Sequence, residues 1–170
     1  MKISIVVMMA DKGVIGFDGA IPWDIDMNSG LFKFSTFDKP IIIGRKAFEA
    51  RGELVQNSLN VVVSKTKFFN QINCITVCSP TEAINTLEGM KLKNKEVLVF
   101  GGESMYRAFL PLSSTIYMLR IHQSFEGDAF FEINPSIWKP TMFAPCVKNK
   151  DNPYRSEFII YKRRLSKFPS

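Results

Sequence analysis

Apolar residues fall along this chain in short blocks separated by glycine, proline and charge. Ile3 to Met9 is apolar except for Ser4, and a block that short without alternation predicts a strand buried on both faces. Ile41-Ile42-Ile43, Leu59-Asn60-Val61-Val62-Val63 and Val97-Leu98-Val99-Phe100 read the same way. Ile72 to Val77 and Thr115 to Ile121 predict two more strands, and Thr141 to Val147 with Phe158 to Arg164 a closing antiparallel pair around the polar loop Lys148 to Arg155. Helical spacing appears between the blocks. Met105, Phe109 and Leu110 follow Gly101-Gly102 at that period. Ser79-Pro80 caps and opens a helix through about Leu87, and Arg45 to Glu49 starts a short one. Asp24 or Asp26 is placed to cap a helix carrying Leu31, Phe32 and Phe34, although Gly30 weakens it. This order predicts an α/β fold whose sheet has antiparallel edge strands.

The junctions carry the chemistry. Gly44-Arg45-Lys46, Ser64-Lys65 and Gly101-Gly102-Glu103-Ser104 all sit at predicted carboxyl ends of strands, where open α/β sheets bind ligands. Two cations at a helix N-terminus oppose the helix dipole unless an anion joins them. Ordinary turns with solvated side chains would explain any one junction. The three together outline a rim for a dinucleotide diphosphate and an extra phosphate. Gly13 to Ala20 lacks the G-x-G-x-x-G fingerprint, and its glycines suit either a lid or a plain hairpin turn.

Composition narrows the class. A chain of 170 residues, 46% hydrophobic with 15 Phe, predicts one folded domain over 1–170. The net charge of +6 suits an anionic partner, but the cations are scattered apart from Lys162, Arg163, Arg164 and Lys167. Without a zinc-finger, RNP or basic-zipper pattern, nucleic acid is not the expected partner. Cys74, Cys78, Cys146 and a single histidine, His122, argue against a metal site or disulfide framework and for a reducing, cytoplasmic setting. The apolar start runs into Asp11-Lys12 without a cleavage signal, and no run reaches membrane-spanning length.

Val14-Ile15-Gly16, Pro22-Trp23, Phe32-Lys33, Lys39-Pro40-Ile41-Ile42-Ile43-Gly44-Arg45, Asn60 to Ser64, Val99-Phe100-Gly101-Gly102, Tyr106, Phe109-Leu110-Pro111 and Glu126-Gly127-Asp128-Ala129-Phe130-Phe131 form an ordered set. In that order and spacing the chain resembles a dihydrofolate reductase over nearly its whole length. The resemblance implies a central eight-stranded mixed sheet with about four flanking helices. It also implies hydride transfer from NADPH to a reduced pterin, first of all dihydrofolate. On that resemblance Gly44, Arg45, Lys46 and Ala47 hold the cofactor's phosphates, and Val63, Ser64 and Lys65 its adenosine 2′-phosphate end. Gly101-Gly102 is expected to be a cis junction, with Glu103, Ser104, Met105 and Tyr106 beyond it. Met8, Ile15, Gly16, Ala20, Ile21 and Phe100 are further cofactor-binding positions that the resemblance implies, and the loop from Gly13 to Ala20 resembles the mobile loop that closes over the nicotinamide. Val6, Val7, Met8, Asn28, Phe32, Arg51 and Phe100 receive the substrate, and Asn28, Trp23 and Tyr106 stand at the catalytic positions.

The substrate half departs from the family pattern. Asn28 stands where the family has an acid, Leu119 where a hydroxyl backs that acid, and Ser58 where an arginine holds the folate tail. Ala47 replaces a hydroxyl residue, and Ser104 falls where a cation is common. Asp26 would face away from the acid's place on a regular helix. Ser29 and Arg51 replace apolar residues, and Arg51 and Lys33 are cations available to an acid placed differently. Three readings follow: a dihydrofolate reductase, a reductase of another pterin (dihydromonapterin, dihydromethanopterin or a riboflavin-pathway relative), or a non-catalytic nucleotide- or pterin-binding or structural protein. Phe32, Tyr106 and Trp23 also have plain packing readings; Trp23 is expected to hold a water near the pterin, and His122 is given no role. A monomer is expected.

Overall fold

The computed structural model describes residues 1–26, 38–92 and 96–165. Ten strands run in chain order as β1 (Lys2–Met9), β2 (Val14–Gly16), β3 (Ile41–Gly44), β4 (Asn60–Val63), β5 (Cys74–Val77), β6 (Glu96–Val99), β7 (Thr115–Ile121), β8 (Ala129–Phe130), β9 (Trp138–Cys146) and β10 (Ser156–Arg163). Eight form one sheet in the order β5-β4-β3-β6-β1-β7-β10-β9, while β2 and β8 make a small ribbon beside it. Pairing is parallel from β5 to β7, and β10 runs antiparallel to both β7 and β9. The expected mixed sheet with antiparallel edge strands is therefore present.

Three α-helices are described: α1 (Arg45–Arg51), α2 (Pro80–Gly89) and α3 (Glu103–Phe109). The further helix expected over Leu31, Phe32 and Phe34 lies outside the described residues. Ser79 caps α2 as its sequence predicts, its hydroxyl accepting from Glu82 N at 3.1 Å while the Glu82 carboxylate accepts from Cys78 N. Gly52, at φ 78, ends α1 in the left-handed conformation that suits glycine.

The continuous apolar blocks build two cores at once. Alternate residues of β1 go to opposite faces: Ile5 and Val7 pack with Val61, Val99 and Phe109, and Val6 and Met8 with Val62, Leu98 and Leu119. Two expectations need correction. Strand β9 begins at Trp138, not Thr141, because Trp138 is buried under the Arg163 guanidinium, 4.5 Å from its ring centroid. Exposed Lys139 to Phe143 between them hid that start. The Gly13-to-Ala20 stretch is not bare loop, since it contains β2 and a Phe17–Ala20 bridge.

At the amino end of β6, Glu96 gathers neighbours from three other segments. It accepts from Ser4 Oγ at 2.6 Å and Tyr117 OH at 3.0 Å, and pairs with Lys2 at 3.0 Å and Lys39 at 2.9 Å. Burial alone would raise its pKa, but hydrogen bonds from Ser4, Lys39 and Lys2 outweigh that and hold the carboxyl at about 2. Among the described residues no helix is long and apolar enough to cross a membrane, and no group of metal-ligating side chains gathers.

Candidate active site

The carboxyl ends of β1, β3 and β6 open into one cleft of about 750 Å³. At its base two chain segments meet with almost no space between them. Gly44 N donates to Gly101 O at 2.7 Å. The Gly101-Gly102 bond is cis, and Gly101 sits at φ 92. A Cβ on Gly101 would lie 2.9 Å from the Tyr106 ring, so neither its backbone angle nor its surroundings accept a side chain. Gly102 differs: a Cβ there would meet nothing within 4 Å, because its face opens into the cleft. That face is a cradle a ligand's phosphate can approach closely.

Tyr106, on α3, passes beneath this junction. Its hydroxyl donates to the Val6 carbonyl at 2.8 Å, and burial raises its pKa, so the phenol stays neutral. The residue ties α3 to β1 and leaves no proton free for substrate.

Helix α1 forms the cationic wall. Arg45, Lys46, Ala47, Ala50 and Arg51 all line the cleft. Arg45 pairs with Glu49 at 2.9 Å, and Glu49 also takes Lys67 at 2.6 Å. The crowding of cations at this helix start therefore has a partial internal answer. Lys46 makes no ion pair among the described residues and faces outward at the rim.

The third wall is the ribbon of β2 and the turn after it. Ile15, Gly16, Phe17, Gly19, Ala20 and Ile21 line the cleft there. Asp128 pins this turn twice: its N–H donates to Gly16 O, and its carboxylate accepts from Asp18 N, both at 3.0 Å. A side chain at neighbouring Gly127 would run into Val14.

Most residues singled out in the sequence meet in this cleft: Val6, Met8, Ile15, Gly16, Ala20, Ile21, Gly44, Arg45, Lys46, Ala47, Arg51, Val63, Phe100, Gly102, Glu103, Ser104, Met105 and Tyr106. Five do not line it. Val7 points into the opposite core. Gly101 supports the base through its carbonyl. Ser64 is buried, with its hydroxyl accepting from Thr66 N and Lys67 N, so it shapes the turn, and Lys65 stands exposed next to it. Trp23 is buried edge-on to Phe125 at 5.4 Å, and its Nε1 has no hydrogen-bond partner among the described residues. Asn28, Ser29, Phe32 and Lys33 lie outside the described residues. Leu119 is a core residue, and Asp26 is exposed, with its N–H donating to Asp151 O.

Phe17, Gly19, Ile43, Ala50, Asp128 and Ala129 also line the cleft, and none of them is expected there from the sequence. Ala50 stands one helical turn from Ala47, a signal that was available. Asp128 acts through contacts with the Gly16–Asp18 turn, distant in sequence, which no local pattern announces.

A family model of dihydrofolate reductase matches residues 2–163. The chain belongs to the dihydrofolate reductase family. Among similar proteins, the dihydrofolate reductase of Staphylococcus haemolyticus is 37% identical over 96% of this chain and 96% of its own. That of Bacillus subtilis is 33% identical over the same shares. In three dimensions the chain is similar to the dihydrofolate reductase of Enterococcus faecalis complexed with NADP(H) and RAB-propyl, at a TM-score of 0.83 and 25% identity, covering 96% of this chain and 97% of that one. In this dihydrofolate reductase family member, the described acids lining the cleft are Glu103 and Asp128. Glu103 opens α3 and pairs with Arg107, and Asp128 is held against the turn, so neither stands as a proton donor to substrate.

Proposed function

We infer that the protein reduces dihydrofolate to tetrahydrofolate with NADPH. The observation that carries this is the junction of Gly44 with Gly101-Gly102, open on one face and walled by Arg45 and Lys46, in a chain of this family. When bound, NADPH supplies the hydride. Gly102, Ser104, Arg45 and Lys46 suit its phosphates: an open backbone face, a hydroxyl and two cations. Val63 and exposed Lys65 suit the 2′-phosphate end. Ile15, Gly16, Ala20 and Ile21, held by Asp128, cover the reacting rings and exclude water. Met8, Val6 and Phe100 form the apolar floor, and Tyr106 holds Val6 in place.

The proton is the harder half. An amide at Asn28 accepts from the pterin's amino group but has no acidic proton to give. The proton then comes from water, for which the buried Trp23 Nε1–H is an available anchor. The same replacement, with Leu119 for the backing hydroxyl, favours a second reading in which the acceptor is a different reduced pterin. We further read the protein as a single domain over 1–170 acting as a monomer in the cytoplasm; its cysteines are free thiols, as suits a reducing compartment.

NADPH oxidation measured with dihydrofolate beside a tail-less dihydropterin decides between the readings. Turnover of dihydrofolate with the higher kcat/KM is expected. Turnover of the tail-less pterin alone would transfer the assignment to the second reading, and tight NADPH binding without turnover of either would leave a binding protein.

A further inference from the structure

Two hollows in the surface share one wall. The cleft and a smaller hollow of about 370 Å³ beside it are both lined by Glu103 and Tyr106. Tyr106 is buried, with its hydroxyl committed to the Val6 carbonyl, so the charge on this wall belongs to Glu103. Arg107 lines the smaller hollow and not the cleft. Its guanidinium donates to Glu103 Oε1 at 3.0 Å from one turn further along α3. The carboxylate thus has the cleft on one side and a cation on the other.

An acid here is out of keeping with its neighbours. A Cβ on Gly44 would lie 3.2 Å from the Met105 side chain and 3.6 Å from Gly102 N, so the starts of α1 and α3 stand side by side. Gly102 and Ser104, on either side of Glu103 in the chain, line the cleft together with Arg45 and Lys46. These are the groups that suit the cofactor's phosphates. The other described acid of the cleft, Asp128, has its carboxylate on Asp18 N at the β2 turn, which leaves Glu103 as the described acid on the phosphate side.

We propose that Glu103 opposes the diphosphate of NADPH, and that Arg107 moderates this opposition from the adjoining hollow, so that the pair sets the affinity of the cleft for its cofactor. The proposal rests on the reading that NADPH lays its phosphates along Gly102, Ser104, Arg45 and Lys46. A diphosphate is a dianion, and like charges in a partly desolvated cleft act on one another over several ångströms. Arg107 cancels the carboxylate only in part, because the Glu103 side chain is 38% exposed and that of Arg107 78%. A cofactor consumed at each turnover must also leave, and a fixed repulsion at its diphosphate shortens its stay without disturbing the seat of its reacting ring. A carboxylate that accepted from a ribose hydroxyl would strengthen binding instead, so the sign of the effect separates the two roles.

The test compares NADPH dissociation constants, measured by titration calorimetry, for the wild type, Glu103→Gln, Arg107→Gln and the double variant. Glu103→Gln should bind NADPH roughly 5- to 10-fold more tightly, the scale of one like charge removed from beside a dianion. Arg107→Gln should bind it roughly 3-fold more weakly, and that loss should vanish in the double variant, since the arginine acts through the carboxylate. The gain in Glu103→Gln should shrink towards nothing as salt rises from about 0.01 M to about 1 M, which a change in the packing of α3 would not do. An affinity unchanged or weakened in Glu103→Gln, or a gain that salt leaves intact, overturns the proposal while leaving the activity standing. A loss in Arg107→Gln that persists in the double variant overturns the arginine's part in it. A wild-type protein that does not bind NADPH overturns the cofactor reading and the proposal with it.

Discussion

The two sides of the cleft are built from different materials. The cofactor side is mostly main chain: a glycine from β3 bonded to a glycine after β6, with a third glycine left open to the cleft. The side proposed for the substrate is more side chain than main chain, with Ala47, Ala50 and Arg51 of α1 along it. A main-chain site tolerates little variation where a glycine is required by its angle or its neighbours, as Gly101 is at φ 92 against the Tyr106 ring and Gly44 is against Met105. A side-chain site can change its chemistry one residue at a time while the sheet stays as it is.

The largest effect should come from breaking the main-chain side. Gly101→Ala puts a Cβ at φ 92 and 2.9 Å from Tyr106. NADPH affinity, measured by titration calorimetry, should fall about 100-fold, roughly 3 kcal/mol of strain and displacement. Retained affinity would mean that this base is not the cofactor's seat.

Next comes the far end of the strand that carries this junction. The folded-state pKa of Glu96 is depressed to about 2 from its ordinary value of 4.5. Its stabilisation is therefore fully present above about pH 4.5 and is lost as pH falls towards 2, amounting to about 3 kcal/mol. Glu96→Gln should lower neutral-pH stability in urea by that amount and flatten the acid limb of the profile. A profile unchanged by the substitution would show that the cluster does not brace β6.

The smallest expected effect lies on the substrate side and would sharpen the contrast. Asn28→Asp should raise kcat for dihydrofolate at neutral pH about 10-fold, about 1.4 kcal/mol, by restoring a proton-bearing group. Stopped-flow rates across pH should gain a carboxylate-range inflection. No gain would place the proton route elsewhere or point to another pterin.

Much of this architecture was legible beforehand because the sheet's centre is buried on both faces. Ile41 to Ile43 and Val61 to Val63 announce themselves without alternation. Gly44 and Gly101 were equally legible, since a glycine that stops a buried strand marks a backbone demand. What escaped depends on contacts between distant segments. β2 and β8 are three and two residues long, too short for any period to register. Asp128 pins a turn more than a hundred residues earlier. Ser64 also shapes its own turn, its hydroxyl accepting from Thr66 N and Lys67 N, a role that only the folded turn reveals.

The chain has two tryptophans, and they occupy opposite situations. Trp23 lies two residues past Ile21 of the cleft lining, packed on Phe125, whereas Trp138 sits in the edge ribbon beneath the Arg163 guanidinium. Intrinsic fluorescence from this molecule is thus a two-channel signal. One indole stands next to the cleft lining, and the other stands at the edge of the main sheet, away from the cleft.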